Sequence, residues 1–135
     1  MNILDKQGVY ARLDELGRLK EGWLDGEGMA PCQTGLAWLA SVFGDAYPDD
    51  LPLPCLYPTV EGEVQAEWSL PPYEVSLEID LRRHTGEWNA LNLETDDDDS
   101  EQLALDDVDD RTTLFAKIRS QCIPEDALPW DAPNL

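Results

Sequence analysis

The feature that most constrains the fold is a change in the spacing of apolar residues halfway along the chain. In residues 63–70 the even positions are apolar and the odd ones polar, and in residues 74–81 the odd positions are apolar. Side chains alternate between the two faces of a β-strand, so both segments are typical of strands with one buried face. Pro71-Pro72 lies between them and predicts the turn. The sequence therefore predicts an antiparallel sheet with one polar face.

Further strands are predicted on both sides of this pair. Residues 87–94 predict a third strand, in which the apolar positions slip by one residue and indicate a bulge. Residues 56–60 predict an edge strand, because Pro58 has no backbone N–H to donate to a neighbouring strand.

Helical spacing dominates both ends of the chain. Apolar residues recur at helical intervals over residues 3–21, and this helix is expected to end at Gly22 in a left-handed cap. A second helix is predicted over residues 34–46, capped by the hydroxyl of its first residue, and a third begins at Asp109 or Asp110. The order predicts an α+β fold with two N-terminal helices, an antiparallel sheet of three to five strands and a C-terminal helix.

The chain is long enough for one core. With 135 residues, of which 42% are hydrophobic, it can form a single domain without disulfides or metals. We expect this domain to span residues 1–122 and residues 123–135, with three prolines, to form an irregular tail. Trp23 is expected to anchor the glycine-rich loop 22–31 in the core.

The charge balance excludes several kinds of partner. Nine Lys and Arg residues against 29 Asp and Glu give a net charge of −20. Direct binding to nucleic acid needs a basic surface, and docking on anionic membranes needs a polybasic segment. No stretch approaches the roughly 20 apolar residues of a membrane span, and the N-terminus does not resemble a signal peptide. We therefore expect a cytoplasmic protein.

The usual catalytic residues are sparse. The three cysteines, Cys32, Cys55 and Cys122, lie far apart without a CxxC spacing, which predicts reduced thiols, with Cys55 buried in an apolar segment. His84, the single histidine, is expected to be exposed in a hairpin turn. Because glycine-rich phosphate-binding motifs are also missing, most of the usual routes to catalysis are closed, and the sequence points to no particular cofactor, metal ligands or catalytic residues.

Acidic residues concentrate in the later part of the chain. Residues 46–135 hold 22 acidic and five basic residues, a net charge of −17. Such a surface repels itself, and a basic protein could relieve that repulsion. The strand pattern and the acidic run give the candidate partner-binding residues: Glu63, Glu67, Glu74, Glu78, Asp80, Asp96, Asp97, Asp98 and Asp99.

The acidic segment 94–110 admits other interpretations. Its ten acidic residues and lack of basic ones favour a mobile loop, although Leu103 and Leu105 alternate and predict a short edge strand. The run at Asp96 matches a calcium-binding EF-hand loop poorly, since Glu101 stands where glycine is needed. Three alternatives to partner binding remain open: a solubilising surface, mimicry of DNA phosphates, and a metal-assisted enzyme using clustered carboxylates.

Six motifs of glycine, proline and tryptophan type lie within residues 22–93: GWLDGEGMAP at 22–31, DLPLP at 50–54, YPTVEG at 57–62, QAEW at 65–68, SLEIDL at 76–81 and GEWNALNL at 86–93. Together they resemble a family of small acidic bacterial proteins of unassigned activity, often carried beside toxin-like or mobile genes. The resemblance implies an accessory protein, such as an antitoxin or immunity protein, and supplies no catalytic residues; Asn89 stands where that pattern has histidine.

Overall fold

The computed structural model describes the backbone of residues 2–127 and the side chains of residues 6–122. It confirms an α+β fold with two N-terminal helices, a five-stranded antiparallel sheet and a C-terminal helix. The helices are α1 (Asn2–Gly17), α2 (Gln33–Ser41), continued by a π-helical turn (Val42–Ala46), and α3 (Val108–Ala127). The strands are β1 (Cys55–Pro58), β2 (Val64–Leu70), β3 (Tyr73–Asp80), β4 (Thr85–Asn92) and β5 (Asp98–Ala104).

The strands follow one another across the sheet in chain order, each antiparallel to the next. Pro71-Pro72 forms the predicted turn between β2 and β3, and β1 is the predicted edge strand. The bulge predicted in β4 is wrong, because β4 pairs residue by residue with both neighbours. Ala90 takes the buried position there and Leu91 is exposed, so the apparent slip reflects a leucine on the solvent face.

The helices cover one face of the sheet, and the core lies between. Gly35 allows the close approach of α2, because a Cβ atom at this position would lie 2.4 Å from Leu81 Cβ. The buried side chains of the strands include Val64, Ala66, Trp68, Val75, Leu77, Ile79, Trp88 and Leu103, and those of the helices include Leu13, Leu16, Leu36, Leu39, Leu114 and Ile118.

The first helix is shorter than predicted. It ends at Gly17 instead of Gly22, and the Gln33 side chain donates a 2.7 Å hydrogen bond to the Gly17 carbonyl. The following loop closes on itself, and Trp23 donates to the Met29 carbonyl at 2.9 Å. Trp23 is only half-buried, so the prediction that it anchors the loop in the core is wrong.

The last helix begins earlier and ends later than predicted. Asp107 caps it, accepting hydrogen bonds from the backbone N–H groups of Asp109 and Asp110 at 2.7 and 3.3 Å. Because α3 continues to Ala127, the start of the predicted tail 123–135 is helical. Residues 128–135, including Trp130, lie outside the described residues. None of the described helices is long and apolar enough to cross a membrane.

Candidate functional site

The sheet face turned away from the helices, called the open face below, carries a single sign of charge. It consists of the odd positions of β1, β2 and β4 and the even positions of β3 and β5, as the strand register requires. None of the five strands contains Lys or Arg. The acidic side chains on this face are Glu67, Glu74, Glu78, Asp80, Glu87 and Asp98.

The ion pairs of the described residues lie elsewhere. Lys6 pairs with Asp49, Arg119 with Asp50 and Lys117 with Asp99, all on the helical side. Within residues 6–122, no salt bridge reaches a carboxylate of the open face. The carboxylates of this face therefore have no ion-pair partner among the described residues, and Asp80 alone is attracted by nearby cations, Arg82 and Arg83 of the following turn.

The strand phase predicted for the candidate residues is confirmed. Glu67, Glu74 and Glu78 project from the open face, and Glu63 precedes β2 in the same phase. Asp80 also has a local role, since one carboxylate oxygen accepts hydrogen bonds from the backbone N–H groups of Arg82 and Arg83 in the following turn, each at 3.0 Å. These hydrogen bonds lower the pKa of Asp80. A role of these residues in binding stays a prediction.

The acidic run separates into different environments. Asp96 and Asp97 lie in the turn after β4, and Asp98 faces the open side. Asp99 points toward α3, where it accepts hydrogen bonds from Lys117 at 2.8 Å and from the Trp88 indole at 3.1 Å. The bond from Lys117 is the main reason that the pKa of Asp99 is lowered. Asp99 therefore fastens β5 to α3, and its role in partner binding stays a prediction.

The prediction of a mobile loop over residues 94–110 is wrong in part. Residues 98–104 form the edge strand β5, paired with β4 along its length, as the alternation of Leu103 and Leu105 indicated. Both leucines are almost fully buried. Burial of this apolar side and the contacts of Asp99 hold an otherwise acidic segment on the sheet.

One end of the open face holds a carboxylate cluster, made of Glu63, Glu78, Asp80 and Glu87. Glu78 and Glu87 are directly opposite each other on neighbouring strands. The pKa of Glu63 is raised, first by partial burial and then by the negative charges of Asp80 and Glu78. Opposed like charges on a sheet cost roughly 0.2–1 kcal/mol. The fold thus tolerates an arrangement that opposes its own stability.

The other end of the open face is a shallow depression of about 570 Å³. Short side chains occupy its middle: Ser76 is paired with Asn89, and Ser100 lies beyond and donates a 2.8 Å hydrogen bond to the Asn89 amide oxygen. The predicted burial of Cys55 is wrong, because its thiol is exposed beside this depression. Longer side chains surround the middle: Tyr57, Glu67, Glu74, Leu91 and Asp98.

His84 belongs to a structural cluster at the opposite surface. It occupies the predicted turn, but its ring stacks on Trp38 with centroids 3.9 Å apart, so the expectation of an exposed histidine is wrong. Its Nδ1 lies 2.8 Å from a carboxylate oxygen of Asp106, and the Trp38 indole donates to the other oxygen at 3.0 Å. No described serine, threonine or cysteine hydrogen-bonds to the imidazole. The contacts connect α2, the β3–β4 turn and the β5–α3 loop.

The remaining reactive groups are dispersed. None of the three cysteines forms a disulfide in the described part of the chain, and Cys32 contacts the Thr34 hydroxyl at 3.2 Å. This hydrogen bond is the main cause of a lowered pKa of Cys32. The part of the chain that the structure describes contains no group of three or more His, Cys, Asp or Glu side chains placed to hold a metal ion.

Comparisons with known proteins identify no relative. No family model matches the sequence, and neither the curated proteins nor the solved structures contain a match. The resemblance to small acidic bacterial proteins therefore stays a prediction.

The titration of four carboxylates predicts an optimum of stability at acidic pH. The pKa of Glu63 is raised above its ordinary 4.5, so its ionisation destabilises the fold at neutral pH and this cost disappears as the pH falls toward 4.5. Asp80, Asp99 and Asp106 have pKa values lowered from 3.8, so their stabilisation is present above 3.8 and lost as the pH falls through the lower folded values.

Urea unfolding across a pH series measures this effect. We expect the free energy of unfolding to rise as the pH is lowered from about 7 to about 4.5 and to fall below about 3.8. Glu63→Gln serves as the control. It should reduce the increase in the free energy of unfolding between about pH 7 and about pH 4.5 without changing the decrease below about pH 3.8. A steady loss of stability from neutral pH downward would contradict the assignment of the four groups.

Proposed function

We propose that this protein is a non-enzymatic binding protein that docks a basic surface of a partner protein on its open face. The observation that carries the proposal is that the five strands contain no Lys or Arg and that, within residues 6–122, no salt bridge reaches a carboxylate of this face. A basic partner would supply the missing counter-charges, and the negative potential would accelerate encounter.

The breadth of the open face and its exposed apolar groups support a protein as the partner. The five strands present a broad face without a covering helix in the described chain, and Tyr57 and Leu91 add exposed apolar groups beside the carboxylates. Aromatic and aliphatic groups within a charged rim are typical sources of affinity in protein interfaces. An antitoxin- or immunity-like role, in which binding neutralises or regulates the partner, agrees with the family resemblance.

Capture from the native cell lysate at low salt tests the proposal. We expect one stoichiometric basic protein to leave the immobilised protein at a defined step of a salt gradient. With that partner purified, the dissociation constant should increase about tenfold or more between about 50 mM and about 500 mM NaCl, because salt screens exposed charges. An affinity unchanged over this range would contradict an electrostatic docking surface.

DNA mimicry is the second candidate, and the spread of carboxylates favours it. The acidic groups of the open face come from β2, β3, β4 and β5. They are spread across the sheet, as the phosphates of DNA are spread along a duplex, and are not gathered at one point. A nucleic-acid-binding partner would then use the same site for this protein and for its nucleic acid. Competition by duplex DNA for the captured partner distinguishes this candidate, and a partner unaffected by DNA would exclude it.

A further inference from the structure

We infer that the depression of the open face receives an arginine side chain of the basic partner. The inference rests on the proposed function and specifies what the partner must present. The depression and the carboxylate cluster lie at opposite ends of the open face, and both are negatively charged. They differ in shape and in the side chains that would surround a bound cation. These differences predict a preference for arginine over lysine at one end of the face.

The strand register places long acidic side chains beside short hydroxyl-bearing ones. Glu67 is opposite Ser76, and Glu74 is opposite Ser69. Side chains at such directly paired positions lie about 4.5–5.5 Å apart, and diagonal ones about 7–8 Å apart. Glu67 and Glu74 are diagonal neighbours, so a planar cation above the intervening serine positions lies within reach of both carboxylates.

The acceptors of the depression match the donors of a guanidinium group. Arginine carries five N–H donors in a rigid plane, whereas lysine carries three on one nitrogen. Asp98 and the hydroxyls of Ser76 and Ser100 line the same depression as the two glutamates. Because these acceptors are spread over several strands, they can accept hydrogen bonds from more of the N–H groups of a guanidinium than of an ammonium group.

Tyr57 adds a further difference between the two cations. Its side chain is 44% exposed and lines the depression. Guanidinium groups stack on aromatic rings more readily than ammonium groups do. The volume of about 570 Å³ admits a complete side chain. At the carboxylate cluster, by contrast, opposed carboxylates attract either cation.

Two capped peptides of equal length and charge, four Gly-Arg repeats and four Gly-Lys repeats, test the inference by calorimetry at low salt. We expect the arginine peptide to bind the wild-type protein about tenfold more tightly. Ser76→Leu fills the depression without changing charge and should abolish this preference while leaving the lysine peptide unaffected. Gln102→Leu, a similar change on β5 outside the depression, should preserve it.

The outcomes separate the inference from the proposed function. Equal affinities of the wild-type protein for the two peptides, or a preference that survives Ser76→Leu, would overturn the arginine site while leaving electrostatic docking intact. Failure of both peptides to bind the wild-type protein would contradict docking of basic segments on the open face, and the arginine site with it.

Discussion

Reversing three glutamates of the open face, by Glu67→Lys, Glu74→Lys and Glu78→Lys together, should weaken binding of the basic partner at least about a hundredfold. The reason is that three attractive contacts become repulsive, and like-charge juxtaposition across an interface costs several kcal/mol. All three side chains are exposed, and none is in a described salt bridge. Calorimetric titration with the purified partner measures the loss.

The same substitutions should leave the fold intact. Glu78 opposes Glu87, so its replacement by a cation turns a repulsive pair into an attractive one and should raise the free energy of unfolding by about 0.5 kcal/mol. Glu27→Lys, Asp45→Lys and Asp109→Lys form the matched control, because they change net charge equally at exposed positions outside the strands and break no described salt bridge. If this control weakened binding equally, net charge and not the open face would govern affinity.

Trp88→Ala should lower the free energy of unfolding by about 3–5 kcal/mol, the largest stability effect expected. Trp88 is fully buried in β4 and its ring centroid lies 6.4 Å from that of Trp68. Lys117 lies 5.8 Å from the ring centroid, and the indole also donates to Asp99. Its removal would leave a cavity and would delete the contacts of the indole with Asp99 and Lys117, the two residues that join β5 to α3.

Urea denaturation measures this loss, and hydrogen exchange locates it. We expect the β5 amides to exchange faster in Trp88→Ala than in the wild-type protein. Trp23→Ala is the matched control. Trp23 is half-buried and contacts its own loop, so its replacement should lower the free energy of unfolding less than Trp88→Ala does. Equal losses of stability in the two variants would contradict the expected rank of Trp88, and unchanged exchange of the β5 amides would show that β5 does not depend on the packing around it.

Local sequence patterns predicted the sheet well because one face is buried and the other is exposed. The strict alternation in β2 and β3 assigns every side chain to a face once the strand is recognised. In β4 the pattern misled, since Leu91 is as apolar as a core residue and only pairing with β3 and β5 shows that Ala90 faces the core. The end of α1 was missed because a distant side chain, Gln33, bonds its last carbonyl.

Of the candidate site, the sequence predicted the side chains that follow from alternation within one strand, but not the contacts between strands. The positions of Glu67, Glu74 and Glu78 follow from alternation alone. The depression does not, because it depends on which side chains become neighbours across strands. The contact of Asp99 with Lys117 likewise joins residues 18 positions apart, and nothing in the acidic run distinguishes Asp99 from Asp98.

Carboxyl footprinting of the complex tests the central claim most directly. Free and partner-bound protein would be labelled at Asp and Glu with a carbodiimide and an amine, and the labelled sites quantified by mass spectrometry. The account predicts protection of Glu67, Glu74 and Glu78 in the complex, with Glu15 and Glu27 labelled equally in both states. Protection of the helical side with the open face still labelled would contradict it.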